Sequence, residues 1–163
     1  MNKLIITLFG VMLTVASCSQ GNTTATEPTG REAFVAFAEH FSENEMFAYA
    51  NVGDREVLLV SQEVFGNNVN EDKEAIEATI FAQDEKGKIV SLGSIRSQGT
   101  AYPVSVLDGK LMVAGHRFVR IYSIRGDVPE LVLDSYGEGE GPEMPAMFET
   151  FGKGNSIKFN KKP

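Results

Sequence analysis

The chain has 163 residues, with 22 acidic against 15 basic side chains and a formal charge of −7. That balance disfavours nucleic acid or anionic lipid headgroups as the main ligand, since both are bound through surplus positive charge. There is no tryptophan, which excludes sugar binding on stacked indoles, and a single cysteine leaves no disulfide within the chain.

At the N-terminus, Lys3 precedes an uncharged run from Leu4 to Ala16. A helix that stays in a bilayer needs about 20 apolar residues; this run is shorter, is interrupted by Thr7, Gly10 and Thr14, and passes into polar chain, as an export signal does. It ends in Val15-Ala16-Ser17-Cys18. One branched apolar residue and two small ones before a cysteine resemble the lipobox of bacterial lipoproteins. The resemblance implies cleavage before Cys18, a lipid-modified sulfur there, and attachment to the extracytoplasmic face of a bacterial membrane, inner or outer. Two or more acyl chains at one residue hold stably, because each buried CH₂ contributes about 0.8 kcal/mol.

Residues 18–28 follow as a polar tether rich in Thr, Asn and Gly. Residues 29–163 are expected to form one domain, long enough to bury a core without disulfides. Thr29 and Glu32 have the spacing of a capping box, and Phe34, Phe37, Ala38 and Phe41 recur along one helical face. This predicts an amphipathic helix over 31–41 that lays its phenylalanines on a sheet, with His40 at its surface.

From Met46 the hydrophobic period becomes two. Strands are expected over 46–50 and 55–61 around a turn at 51–54, then a loop over 64–73. Ile76, Ala78, Ile80 and Ala82 share one face of a strand that turns at 84–88 into 89–95. Tyr102, Val104 and Val106 are expected on one face of the next strand, which returns through Asp108-Gly109 to 111–114. Strands over 118–124 and 130–135 complete the series, with a turn at 125–129. The fold class is therefore mainly β, an antiparallel meander of propeller-blade-like spacing with one N-terminal amphipathic helix; the chain is too short for a full propeller of four or more such blades.

The stretch Tyr49-Ala50-Asn51-Val52-Gly53-Asp54-Arg55-Glu56-Val57-Leu58-Leu59, with 80–92 and Leu107-Asp108-Gly109-Lys110-Leu111, resembles bacterial cell-surface lipoproteins with FG-GAP-like β segments. In that class Asp/Gly-rich loops often hold calcium. Here the loop is reduced to Asn51, Gly53 and Asp54, short of the six or more oxygens calcium takes, so no metal is expected.

Between Asp127 and Glu149 there are seven carboxylates and no lysine or arginine, whereas Lys153, Lys158, Lys161 and Lys162 make the end basic. The bland reading is a solvated acidic loop and a basic tail. Within it, Gly137-Glu138-Gly139-Glu140-Gly141-Pro142-Glu143 is glycine-rich and acidic; acid between the glycines excludes a phosphate loop. The candidate binding residues are Asn51 and Asp54 in one turn, and Glu138, Glu140 and Glu143 in the acidic loop, which suits a basic partner. No catalytic set or cofactor motif is evident: His40 and His116 stand in no serine or metal motif. The sequence reading is a non-enzymatic binding module that takes an unidentified protein or ligand; the alternative is an extracytoplasmic hydrolase using carboxylates or His116.

Overall fold

The computed structural model describes residues 30–66, 73–136 and 143–161; Cys18, Glu138 and Glu140 lie outside them. The described chain is mainly β and antiparallel. It runs α1 (Arg31–Ala38), β1 (Met46–Val52), β2 (Arg55–Ser61), β3 (Val64–Phe65), β4 (Glu74–Ala75), β5 (Glu77–Gln83), β6 (Ile89–Arg96), β7 (Ser105–Leu107), β8 (Lys110–Gly115), β9 (Phe118–Arg125), β10 (Val128–Tyr136), α2 (Glu143–Gly152) and β11 (Asn155–Ser156).

Two successive meanders make the architecture. The first sheet is ordered β1-β2-β5-β6 and the second β10-β9-β8-β7-β11, with β3 and β4 a separate small hairpin. Alternation decides which face each side chain takes. Ala78, Ile80 and Ala82 of β5 are buried in one core with Val57 and Leu59 of β2 and with Leu111 and Val113 of β8, so the sheets meet face to face. The opposite face of the first sheet, carrying Phe47, Leu58 and Val60, lies under α1. That of the second, carrying Met112, Ala114, Val119 and Ile121, packs against Phe151 of α2.

The helix covers the first sheet as its stripe predicts, with a difference in degree. Phe34 is buried, whereas Phe37 and Phe41 are half-buried and stack with Phe81 at 5.0 and 5.7 Å between ring centres. The helix ends at Ala38, earlier than the expected 41. Its N-cap falls on Gly30, with no side-chain cap; Thr29, of the expected capping box, lies outside the described residues. The helix is instead fixed by packing and by Gly30 N–H donating to Gln83 Oε1 at 3.0 Å.

Three further expectations are corrected. Val128 and Pro129 belong to β10, so the turn contracts to Gly126-Asp127. Tyr102 does not share a face with Val104 and Val106: it packs with Phe151 on the outer side of the second sheet, while Val104 is in the core between the sheets. The basic end is not a solvated tail. Ile157 and Phe159 are buried, and residues 155–160 run as a strap across both sheets.

The strap is held by backbone pairing. Asn155 and Ser156 pair with Val106 and Ser105; Ile157 N–H donates to Val104 O at 3.0 Å; Phe159 exchanges bonds with Lys73 at 2.7 and 3.0 Å; and Asn160 exchanges bonds with Phe47 at 2.8 and 2.7 Å. Its Lys158 is exposed while Ile157 and Phe159 on either side are buried, the period-two pattern of a strand compressed into a few residues. Close approach is visible at Gly115, where an added Cβ would sit 2.3 Å from the Phe118 ring.

Candidate functional site

Strand direction gathers four turns at one end. β1 rises to Gly53-Asp54, β5 to Asp84–Lys88, β7 to Asp108-Gly109 and β9 to Gly126-Asp127. The Asp108-Gly109 turn has φ of 48° and 66° at its two central residues, the left-handed pair that a two-residue hairpin requires. Asp84 shapes the neighbouring turn by accepting from the Lys86 and Lys88 backbone N–H groups, both at 2.9 Å. The turns of the two sheets are tied together, since Gly53 N–H donates to Gly109 O at 2.8 Å.

Arg55, the first residue of β2, makes the second tie. Its guanidinium donates to the carbonyls of Gly126 and Gln83 and, at 3.1 Å, to Asp127 Oδ1. One planar group thereby joins the 126–127 turn of the second sheet to the end of β5 in the first, a geometry suited to a five-donor fork. The ties leave a cleft of about 410 Å³ lined by Arg55, Gln83, Asp84, Glu85, Lys86, Gly126 and Asp127. Its walls carry both signs of charge and no apolar side chain.

The start of α1 is at this same end. Arg31 donates to Glu56 Oε1 at 2.9 and 2.7 Å through Nε and Nη2, and its guanidinium lies 4.6 Å from the Tyr49 ring centre. The hydrogen bond to Glu56 and its charge hold the Arg31 pKa above its ordinary value; burial pushes the Tyr49 hydroxyl up, against the pull of Arg31.

The sequence candidates separate. Asn51 and Asp54 are exposed at the turn end, near the cleft but not among its walls. Glu143 opens α2, in the segment that follows β10; Tyr136, at the end of that strand, pairs with Phe118 beside the 116–117 turn at the opposite end of the sheets. Glu138 and Glu140 lie outside the described residues. His116 is exposed at that far turn, with Nδ1 3.4 Å from the Tyr102 hydroxyl, and His40 is exposed with Nδ1 3.2 Å from Phe37 O. Among the described residues no group of three or more His, Cys, Asp or Glu is placed to hold a metal ion, and no helix is long and apolar enough to cross a membrane.

Sequence reasoning missed Arg55, Gln83 and Asp127. Each sits at a strand end beside a turn that the alternation located, and a charged or amide residue at such a position is the signal that was there to read. Its use became visible only when the two sheets were placed together. Compared with protein-family models, with curated proteins and with solved structures, the chain gives no match.

Proposed function

We propose that the protein is an exported lipoprotein, anchored through lipid on Cys18 to the extracytoplasmic face of a bacterial membrane, and that its β domain is a non-enzymatic binding module. The observation that carries the binding reading is the cleft held open by Arg55 between turns of two sheets. Binding surfaces sit on loops that a rigid scaffold positions, and here the loops are locked by backbone and guanidinium bonds before any ligand arrives. The walls offer positive and negative groups but no serine, cysteine or histidine to act as a nucleophile or its base. A polar partner bearing both charges, such as a peptide or protein surface, matches that lining.

The anchor reading rests on the Val15-Ala16-Ser17-Cys18 pattern. Because α1 begins at the cleft end, the segment leading back to Cys18 leaves from there as well. At ~3.3 Å per residue its contour limits the cleft to about 40 Å from the lipid.

Membrane fractionation with intact-mass analysis tests the anchor: the wild-type chain should sediment with membranes and carry acyl mass at Cys18, and Cys18→Ala should be released or remain an uncleaved precursor. A photocrosslinker at Glu85 should capture a partner in intact envelopes while one at Arg117, at the far end, does not. An unmodified mature N-terminus would overturn the anchor, and turnover abolished by His116→Ala in a folded protein would overturn the non-enzymatic reading.

A further inference from the structure

A second hollow opens at the other end of the first sheet, where β2 finishes, β5 begins and the chain passes from α1 to β1. Phe41 and Phe81, with ring centres 5.7 Å apart, and Val60 give it an apolar side; Glu45, Gln62 and Glu77 give it a polar one. Its volume is about 130 Å³. Sites for drug-sized ligands and cofactors run to roughly 300–1,000 Å³, so this one suits a single side chain.

The polar side is in place before anything binds. After α1 the chain turns tightly, with Phe41 N–H donating to Ala38 O at 3.1 Å and Glu45 N–H to Ser42 O at 3.3 Å. In that turn the Ser42 hydroxyl donates to Glu45 Oε2, and Gln62 Nε2 donates to Glu45 Oε1 at 2.8 Å. Both donors are neutral. They orient the carboxylate and hold its pKa below the ordinary value of 4.5, the Ser42 bond foremost, yet they leave its charge uncancelled. Gln62, with one N–H given to Glu45, keeps its side-chain oxygen as an acceptor.

Glu77 is the second carboxylate, and it shares Arg96 with Glu63. The guanidinium favours Glu63, to which it donates at 2.9 and 2.6 Å against 3.4 Å to Glu77. Three carboxylates in and beside the hollow are thus answered by one cation, and Glu45 has no cationic partner among the described residues.

This combination selects an occupant. A carboxylate would meet like charge, and a purely apolar side chain would strip water from Glu45 without replacing it. An alkyl ammonium brings a methylene stem for the phenylalanine side, where ring faces also attract a cation, and three N–H donors for the polar side. The acceptors come from three separate elements: Glu45 before β1, Gln62 after β2, and Glu77 in β5. Donors on a rotatable ammonium suit such a set better than the planar fork of an arginine.

We propose that this hollow is a lysine pocket, which takes the ammonium-bearing side chain of a lysine on a partner protein between Phe41 and Phe81 on one side and Glu45, Gln62 and Glu77 on the other. The pocket lies apart from the cleft and from Cys18, so its failure would leave the cleft and anchor readings standing.

An NMR titration of the full chain in detergent, with end-capped Gly-Gly-Lys-Gly-Gly as probe, tests it. Signals of Gln62, Thr79 and Phe81 should shift, and binding should weaken as salt is added. Nε-acetylation of the probe lysine should weaken binding about tenfold or more, and the arginine peptide should bind more weakly than the lysine one. Glu45→Gln, with its urea midpoint checked, should weaken binding about tenfold or more, whereas Glu43→Gln, exposed in the same turn and outside the lining, should have little effect. The competing occupants are the chain's own Lys161 and Lys162, which follow Asn160, the partner of Phe47 beside this turn. Lys161→Ala with Lys162→Ala should leave the affinity for the probe unchanged; a gain of about tenfold would show that the pocket is filled from within and would overturn the proposal. Equal binding of the acetylated or arginine probe, or binding that survives Glu45→Gln, would overturn it as well.

Discussion

Replacing Phe159 by alanine asks whether the end of the chain is structure or tail. Its ring is fully buried in the core between the sheets, its own backbone is paired to Lys73, and Ile157 and Asn160 are paired to Val104 and Phe47. A buried Phe→Ala change removes the transfer free energy of the ring and leaves a cavity, together about 3–5 kcal/mol. Against a total stability of about 5–15 kcal/mol, that is about a fifth of it or more. For a domain of this size each kcal/mol moves the melting temperature by roughly 3–5 °C, so the midpoint should fall by about 10–20 °C. Urea denaturation, followed by far-UV circular dichroism, measures the loss directly. Lys161→Ala, at an exposed position two residues on, is the control and should stay within about 0.5 kcal/mol of wild type. A Phe159→Ala loss below about 1 kcal/mol would show that the strap does not contribute to the core and would refute the reasoning.

On α1, Phe34→Ala should cost about 3–5 kcal/mol while Val35→Ala, exposed on the same turn, costs under about 0.5; equal effects in urea titrations would mean that the helix is not docked by its phenylalanine stripe. Arg55→Ala should cost about 1.5–3 kcal/mol through loss of the charged tie to Gly126, Gln83 and Asp127, and Arg55→Lys, with one point charge in place of a fork, should recover only part of it. Glu74 accepts from Lys158 Nζ and, at 2.7 Å, from Ser156 Oγ, and these bonds hold its pKa below the ordinary value of 4.5. Its contribution is therefore complete above that value and is lost as the pH falls below it through the lowered folded pKa; the gap in unfolding midpoint between wild type and Glu74→Gln should be widest at neutral pH and close towards pH 3.

What the sequence carried and what it withheld follow from how far apart the interacting residues lie. The Ala78, Ile80 and Ala82 alternation and the Asp108-Gly109 turn are local codes that match β5 and the β7–β8 turn, while Ile76 falls in the bend before β5 and outside that core. Phe34 to Phe41 announce a helix by period, while the Gln83 bond at its start joins residues 53 positions apart and has no local signal. Ile157 and Phe159 alternate over too few residues to register as a strand, and Lys158 between them with Lys161 and Lys162 beyond reads as solvated chain. Tyr102 reads in phase with Val104 and Val106, yet the chain bends at Tyr102 before β7 begins and the phase is lost. α2 starts after a glycine-rich stretch and carries Pro145 in its first turn, where a proline costs little, so its composition argued for loop. Asn51 and Asp54 were found near the cleft because a turn is local. The cleft itself, made by Arg55, Gln83 and Asp127 from three strand ends in two sheets, has no local code.

The pairing of Phe47 with Asn160 sets an order of events in time. β1 is made more than a hundred residues before the strap, so for most of that synthesis the chain holds a first strand whose outer neighbour does not yet exist. Each meander can zip from its own short hairpins, but the gap between the sheets stays open until Phe159 arrives to fill it. Closing so long a loop is slow compared with forming a hairpin. The domain should therefore complete its folding only after the strap has been made, and a product shortened before Phe159 would carry an unfinished edge open to proteolysis.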